Sequence, residues 1–371
     1  MMRKITGTLF TFLMLLVSCS EDDSSTEQSD NFNRQEMLAN MANNIIIPAY
    51  ENFNAKVTDL VARKNSFVEV QNVSTLEQVR NAWKETYRAW QKVSMFQIGK
   101  AEEISFSSFM NSYPVSVENV VKNISNKTYD LSAVSKQDEQ GLPALDYLLN
   151  GLATTDDEII GIYTNATNGK SYVDYLDAVV NRMAEMSNVV LTDWKTSFKS
   201  DFITNNGSSA TSSLDKIVND YIYHYERNLR AGKIGIPAGV FSKELLANKI
   251  EAFYDGTLSK ELFLINLQAM QDLFNGKSFN DTTNGPGFSN YLRFLNTLKN
   301  GKKLDDLINN QFEQVKEIAK SLAENLSQQV QQDNTLMLQT YDALQKNVVF
   351  LKVDMLQAMS ISVDFVDADG D

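Results

Sequence analysis

Gln140-Gly141-Leu142-Pro143-Ala144-Leu145-Asp146-Tyr147-Leu148-Leu149-Asn150-Gly151 lies between longer helical runs and is punctuated at both ends. Leu142, Leu145, Leu148 and Leu149 share one face at helical spacing. Pro143 suits a first turn, where no amide hydrogen is needed, and Gly151 can close the helix in a left-handed conformation. The stretch reads as a short buried helix with the neighbouring segments packed around it.

Outward from that helix the chain stays helical. Only five prolines and 16 glycines occur in 371 residues, and Leu, Asn, Gln, Lys, Glu and Ala fill long runs. With 43% hydrophobic residues the chain can build two cores of ordinary size or one large one. The fold class expected is all-α. Residues 33 to 64 read as a long helix interrupted or kinked by Pro48, with Met37, Met41, Ile45, Phe53, Val57 and Leu60 as its apolar stripe. Ser74 and Glu77 have the S-x-x-E spacing of a capping box, opening a helix that runs to about Ile98. Trp83, Tyr87 and Trp90 recur there at three-to-four spacing, the pattern of bundle core. Arg80 and Arg88 lie among these aromatics, where a charge needs a partner.

Downstream of the central helix, 172 to 199 forms another long helix, and Asn205-Asn206-Gly207-Ser208-Ser209 opens a polar linker over 205–213. A helix from Leu214 to about Leu229 ends at Gly232 and leads into Lys233-Ile234-Gly235-Ile236-Pro237-Ala238-Gly239-Val240-Phe241-Ser242. Further helices are expected from Ser259 to about Gly276 and around Tyr291. Two final long ones, 304 to 332 and 335 to 359, would run antiparallel through Gln331-Gln332-Asp333-Asn334. A bundle over 33–204, a linker and a bundle over 214–371 follow.

The N-terminus sets an expected compartment. Arg3 and Lys4 precede an apolar run from Leu9 to Val17, too short for a stable transmembrane helix, so 1–18 reads as a signal peptide. Leu16-Val17-Ser18-Cys19 resembles a bacterial lipobox, which makes Cys19, the only cysteine, the lipidation site. Residues 19–32 are too polar for a core and read as a tether. Ser20 after the cysteine resembles lipoproteins sent to the outer membrane. Glu21-Asp22-Asp23 resembles the export signal of surface-exposed ones, leaving periplasm-facing and surface-exposed placements both open. A net charge of −13 without any block of Lys and Arg argues against nucleic-acid binding.

Gly141, Pro143 and Asp146, with the Tyr-Leu-Leu run that follows, resemble the Gly-x-His-x-x-Glu signature of the imelysin-like family, peptidase family M75. Pro143 stands where the family has histidine and Asp146 where it has glutamate. The Arg-x-x-Trp, Tyr-Arg-x-Trp and Phe-x-x-Gly spacings over 80–99 resemble the family's first-helix signature, with Lys100 replacing a common proline. The 233–242 segment and the Asn-Gly, Gly-Pro-Gly and Tyr-Leu spacings over 275–292 resemble further family segments. The resemblance covers most of residues 34 to 371 and implies two related helical bundles with a ligand site in the cleft between them. The residues expected at that site are Arg80, Arg88, Gly141, Asp146, Lys233, Gly235, Pro237 and Gly239. Glycines permit close backbone approach, while Arg, Lys and Asp can orient a polar ligand.

In the family motif a histidine and a glutamate three residues apart could place a nitrogen and a carboxylate on one metal. Here Pro143 offers no donor, the single histidine is His224, and no G-x-S-x-G, phosphate loop or H-E-x-x-H pattern occurs, so no catalytic residue is assigned. Remaining candidates for a metal ion, iron or calcium, are Asp146, His224, Asp367 and Asp369. The last two belong to an Asp-x-Asp-Gly run that resembles the start of a calcium loop. The expected function is a non-catalytic cell-envelope lipoprotein that binds a small ligand or metal and serves iron or haem acquisition, with an envelope transport protein as a further partner. The alternatives are a metal-dependent peptidase of the M75 type and a surface scaffold that docks a partner protein.

Overall fold

Helix 34–69 is continuous, but not uniform. The segments Arg34–Asn40 and Ile47–Glu69 are joined by a widened turn, Met41–Ile46. Pro48 sits in the first turn of Ile47–Glu69, and the widened turn before it absorbs the missing amide hydrogen bond, so the proline does not break the helix. The computed structural model describes residues 31–280 and 283–365.

The next helix, Val73–Trp90, is capped two residues earlier than the S-x-x-E spacing indicates. Asn72 Oδ1 accepts from the Thr75 amide at 3.0 Å and Thr75 Oγ1 from the Asn72 amide at 3.2 Å. Ser74 already lies inside the helix, because Val70 turns the chain into an extended conformation immediately after Glu69. The helix also ends earlier than Ile98. After Trp90 the chain makes successive tight turns through Gln91–Phe96 before Gly99, whose left-handed φ of 61° starts the next element. A long helix, Gly169–Asp193, packs with Val73–Trp90 on Ile47–Glu69. Their common core holds Trp83, Trp90 and Phe53, and Trp194 is buried just past the end of Gly169–Asp193.

In the C-terminal half, Ser213–Tyr223 runs on through a widened helical stretch, His224–Gly235, with Ser212 as its N-cap. Ser259–Phe274, Leu304–Lys320 and Thr335–Val349 complete the packing, the last lying between Leu304–Lys320 and His224–Gly235. The expected 304–332 helix is two helices. Lys260 Nζ donates to the carbonyls of Lys320 and Leu322 at 3.0 and 2.8 Å, and Asn325 caps a new helix, Leu326–Gln332. Side chains that satisfy the free carbonyls and amides make a break there cheap.

The strands found among the described residues are Leu298–Lys299 and Lys302–Lys303, a hairpin turned by Asn300 and Gly301 at φ 52° and 74°. Asn-Gly tolerates two successive left-handed residues, as such a turn requires. The protein is all-α around this detail. Residues 205–213 are tied down by Asn205 Nδ2 to the Thr211 carbonyl at 2.8 Å, and the described chain from Phe32 onward packs as one body with a continuous apolar core. No helix among the described residues is long and apolar enough to cross a membrane.

Candidate functional site

The site is built from Gly141 outward. Its φ is 74°, and a Cβ there would stand 2.3 Å from the Met110 carbonyl oxygen, so glycine is what lets the Gly141–Asp146 helix start against Phe106–Asn111. Every residue of that helix is buried, and Trp83 Nε1 donates to the Leu142 carbonyl at 3.0 Å. Gly151 does not adopt the left-handed closure anticipated from its position. A Cβ there would meet the Tyr254 ring at 2.4 Å, so its smallness seats an aromatic side chain.

Pro143 and Asp146 face a cavity of about 250 Å3 whose other walls include Tyr113, Val117, Ile250 and Phe253. The Asp146 carboxylate accepts from the backbone amides of Tyr254 and Asp255 at 2.8 and 2.9 Å and from Asn150 Nδ2 at 3.1 Å. Burial pushes its pKa up to about 7 against the pull of those three donors. Asp146 thus fastens the 252–256 turn, a hundred residues away in sequence, to the central helix.

A second cavity of about 500 Å3 shares the Tyr113–Pro114 wall with the first. Its floor is a closed network. Buried Lys233 donates to Glu251 and, at 2.9 Å, to Gln91 Oε1. Glu251 also accepts from Gln91 Nε2 at 3.1 Å and Asn111 Nδ2 at 2.8 Å, while Tyr87 donates its hydroxyl to Asn111 Oδ1 at 2.6 Å. Burial draws the Lys233 ammonium below its ordinary pKa, partly offset by Glu251.

His224 adjoins this floor in a fixed tautomer. Asn266 gives its amide hydrogens to the Gln91 carbonyl at 2.8 Å and to Ser94 Oγ at 3.0 Å, so its Oδ1 must accept from His224 Nε2 at 3.0 Å. Nδ1 then accepts from Asn228 Nδ2 at 3.0 Å. The ring is neutral, and burial lowers its pKa to about 3. Because the folded pKa lies below the unfolded one, the stability His224 contributes is full above pH 6.5 and is lost as pH falls towards 3. At pH 4.5 that loss is roughly 3 kcal/mol. His224→Gln is therefore expected to flatten the fall in melting temperature between pH 7 and 4.5. An unchanged acid limb in the variant would show that other groups set it.

Arg227, one helical turn beyond His224, also lines the larger cavity, and its buried Nε has no hydrogen-bond partner. Tyr223, Asn228 and Lys249 complete that wall. The site therefore offers cationic and amide donors around a floor whose own polar groups answer one another.

The imelysin family model, peptidase M75, matches residues 46–349. The chain belongs to this family. Two crystal structures have a similar fold: a protein assigned as an iron-regulated protein A precursor from Parabacteroides distasonis and an imelysin-like protein from Psychrobacter arcticum. The first has a TM-score of 0.71 at 14% identity, covering 90% of this chain and 96% of its own; the second has 0.68 at 17%, covering 90% and 97%. No curated protein matches the chain.

Within this imelysin-family chain the anticipated site residues divide. Asp146 lines the smaller cavity, while His224 and Lys233 line the larger one. Arg80 instead donates to the Leu149 carbonyl at 2.9 Å and to Asp156 at 2.7 Å, and Arg88 grips both oxygens of Glu261 at 2.8 Å. Gly235 makes room for the Tyr341 ring, buried Pro237 accepts from the Leu246 amide at 2.9 Å, and Gly239, at φ 77°, admits the Glu244 carbonyl. Like Gly141, these five build the frame and line neither cavity. Cys19, Asp367 and Asp369 lie outside the described residues.

The described residues that line the two cavities do not fit a resident metal ion. Pro143 lacks a donor atom, Asp146 is held by three N–H groups, and both His224 nitrogens are engaged. No three His, Cys, Asp or Glu side chains converge among the described residues. Gln91, Asn111, Glu251, Asn266 and Arg227 were not anticipated from sequence. Arg227 carried a signal, its position three residues after His224 on one helix face. Glu251 carried none.

Proposed function

We propose that this chain is a non-catalytic lipoprotein of the cell envelope that takes a small anionic ligand into the cavities on either side of Tyr113–Pro114, in the service of iron or haem acquisition. The observation that supports this best is Arg227, which lines a cavity whose floor is otherwise matched and whose guanidinium has a buried, unpartnered Nε. A cation that lacks a full set of acceptors costs free energy, and a ligand's carboxylate placed against the Arg227 guanidinium recovers part of that cost. Among the described residues no ligand set for a bare ion converges, so in this proposal iron would be read through the anionic groups that already hold it, the carboxylates of a chelator or the propionates of haem. The iron-regulated protein with the similar fold supplies the context. Pro143 at the motif position and the fully engaged Asp146 and His224 favour binding over peptide hydrolysis.

Ferric citrate and haem are the ligands to test, with simple ferric and calcium salts beside them. One of the two complexes is expected to raise the melting temperature saturably. Arg227→Ala should weaken that response about tenfold, the share of one charge-assisted hydrogen bond. Equal stabilisation by a bare salt in both proteins, or no response to either complex, would sink the reading, and chelator-sensitive cleavage of an unfolded protein substrate would restore the peptidase alternative. In this proposal Cys19 carries the anchor that holds the protein to the outer membrane, where a transport protein of the envelope would be its partner. Cys19→Ser should then lose incorporation of a labelled fatty acid and leave the membrane fraction. Retained label in that variant would place the acyl chain elsewhere.

A further inference from the structure

The turn segment Gln91–Phe96 separates two cavities. Gln91 and Ser94 face the polar one described above, whereas Lys92, Met95 and Phe96 face a groove of about 610 Å3 on its other side. Ile45, Leu264, Ile265 and Phe279 give that groove apolar walls, and its three carboxylates are each paired, Glu261 with Arg88, Asp272 with Lys277 and Glu324 with Lys260. Four lysines, Lys92, Lys260, Lys277 and Lys320, stand around it. Three of them are answered: Lys260 by Glu324 at 3.1 Å, Lys277 by Asp272 at 3.6 Å and Lys320 by Glu317. Exposed Lys92 is different. Its ammonium lies 4.9 Å over the Phe279 ring, and no carboxylate pairs with it among the described residues.

We infer that this groove binds an amphipathic monoanion, an alkyl carboxylate whose chain lies along Ile45, Leu264 and Ile265 and whose head meets Lys92. The size suits a small molecule with one flexible chain. Covering the apolar walls supplies the non-directional part of the affinity, and the single uncompensated ammonium supplies the preference for an anion. That preference is local, because the chain as a whole carries a charge of −13 and repels anions elsewhere. The contact with the Phe279 ring holds the Lys92 ammonium at the mouth of the groove, where it is still open to solvent.

Decanoate, decanol and decyltrimethylammonium, each below its micellar concentration, distinguish this site by titration calorimetry on the purified protein. Decanoate should bind saturably with one molecule per chain, about tenfold more tightly than decanol, and the cationic analogue weaker still. Lys92→Gln, at an exposed position that threatens no packing, should bring decanoate down to the level of decanol. Ala269→Trp, which fills the groove, should abolish both, with its helical circular dichroism as the check on folding. Arg227→Ala should bind decanoate like the wild type, so that failure of the polar cavity and failure of this groove are told apart. Decanoate no tighter than decanol, or unchanged in Lys92→Gln, overturns the inference, as does binding that survives in a folded Ala269→Trp.

Discussion

Glu251→Ala is expected to destabilise the protein by about 3–5 kcal/mol, the cost of leaving a buried ammonium without its counter-ion. Lys233 and Glu251 are both almost fully buried, and Glu251 is also the acceptor for Gln91 and Asn111. Removing it strands three donors at once. Burial already works against the Lys233 charge, so the variant's lysine will shed its proton more readily, which softens the loss at high pH. Urea unfolding at pH 7 gives the number directly from the shift in midpoint at constant slope. The double variant Glu251→Ala with Lys233→Met should recover a large part of it, since no charge is then left unpaired. A loss below about 1 kcal/mol for the single variant would mean that water reaches the pair, which is the behaviour of an exposed ion pair.

Gly141→Ala is the second large effect, expected at about 3 kcal/mol or more. A left-handed φ costs a non-glycine residue about 1–3 kcal/mol by itself. Here the added methyl would also lie 2.3 Å from the Met110 carbonyl oxygen and 2.6 Å from that of Phe109, atoms of backbone that cannot rotate aside. The central helix must shift, and with it the Leu142 carbonyl that receives the Trp83 indole and the Asp146 carboxylate that holds the 254–255 amides. Gly161 is the matched control. It lies in the helix Asp156–Tyr163 with nothing within 4 Å of where an added methyl would sit, so Gly161→Ala should stabilise by about 0.5–1 kcal/mol. Equal melting temperatures for the two variants would show that the Gly141 conformation is not enforced.

Helix periodicity was legible wherever an apolar stripe was long. Ser259–Phe274 and its closing Gly276, at φ 66°, agree with the reading closely. The ends were less so: the cap at Asn72 in place of Ser74, and the break after Lys320, are decided by which side chain reaches a free amide or carbonyl first. The site was legible only in part. Asp146 and Lys233 stand out through the family resemblance and His224 as the single histidine, whereas Arg80 and Arg88, picked out as charges among aromatics, are paired with Asp156 and Glu261.

By itself the sequence determined that the chain is helical, that the 140–151 stretch is a buried helix at its centre, and that Gly141 and its neighbours resemble the imelysin motif. Those are consequences of spacing within a turn or two, and local spacing is written in the chain. Only the tertiary structure decided that Asp146 accepts from the backbone amides of Tyr254 and Asp255, that Glu251 neutralises Lys233, and that Arg227 lines a cavity with its buried Nε unpartnered. Glu251 lies 18 positions from Lys233 and Asp146 lies 109 from Asp255, and an ionisable group looks the same in sequence whether its partner is present or missing. Burial makes the difference, because it removes the water that would otherwise answer every charge alike.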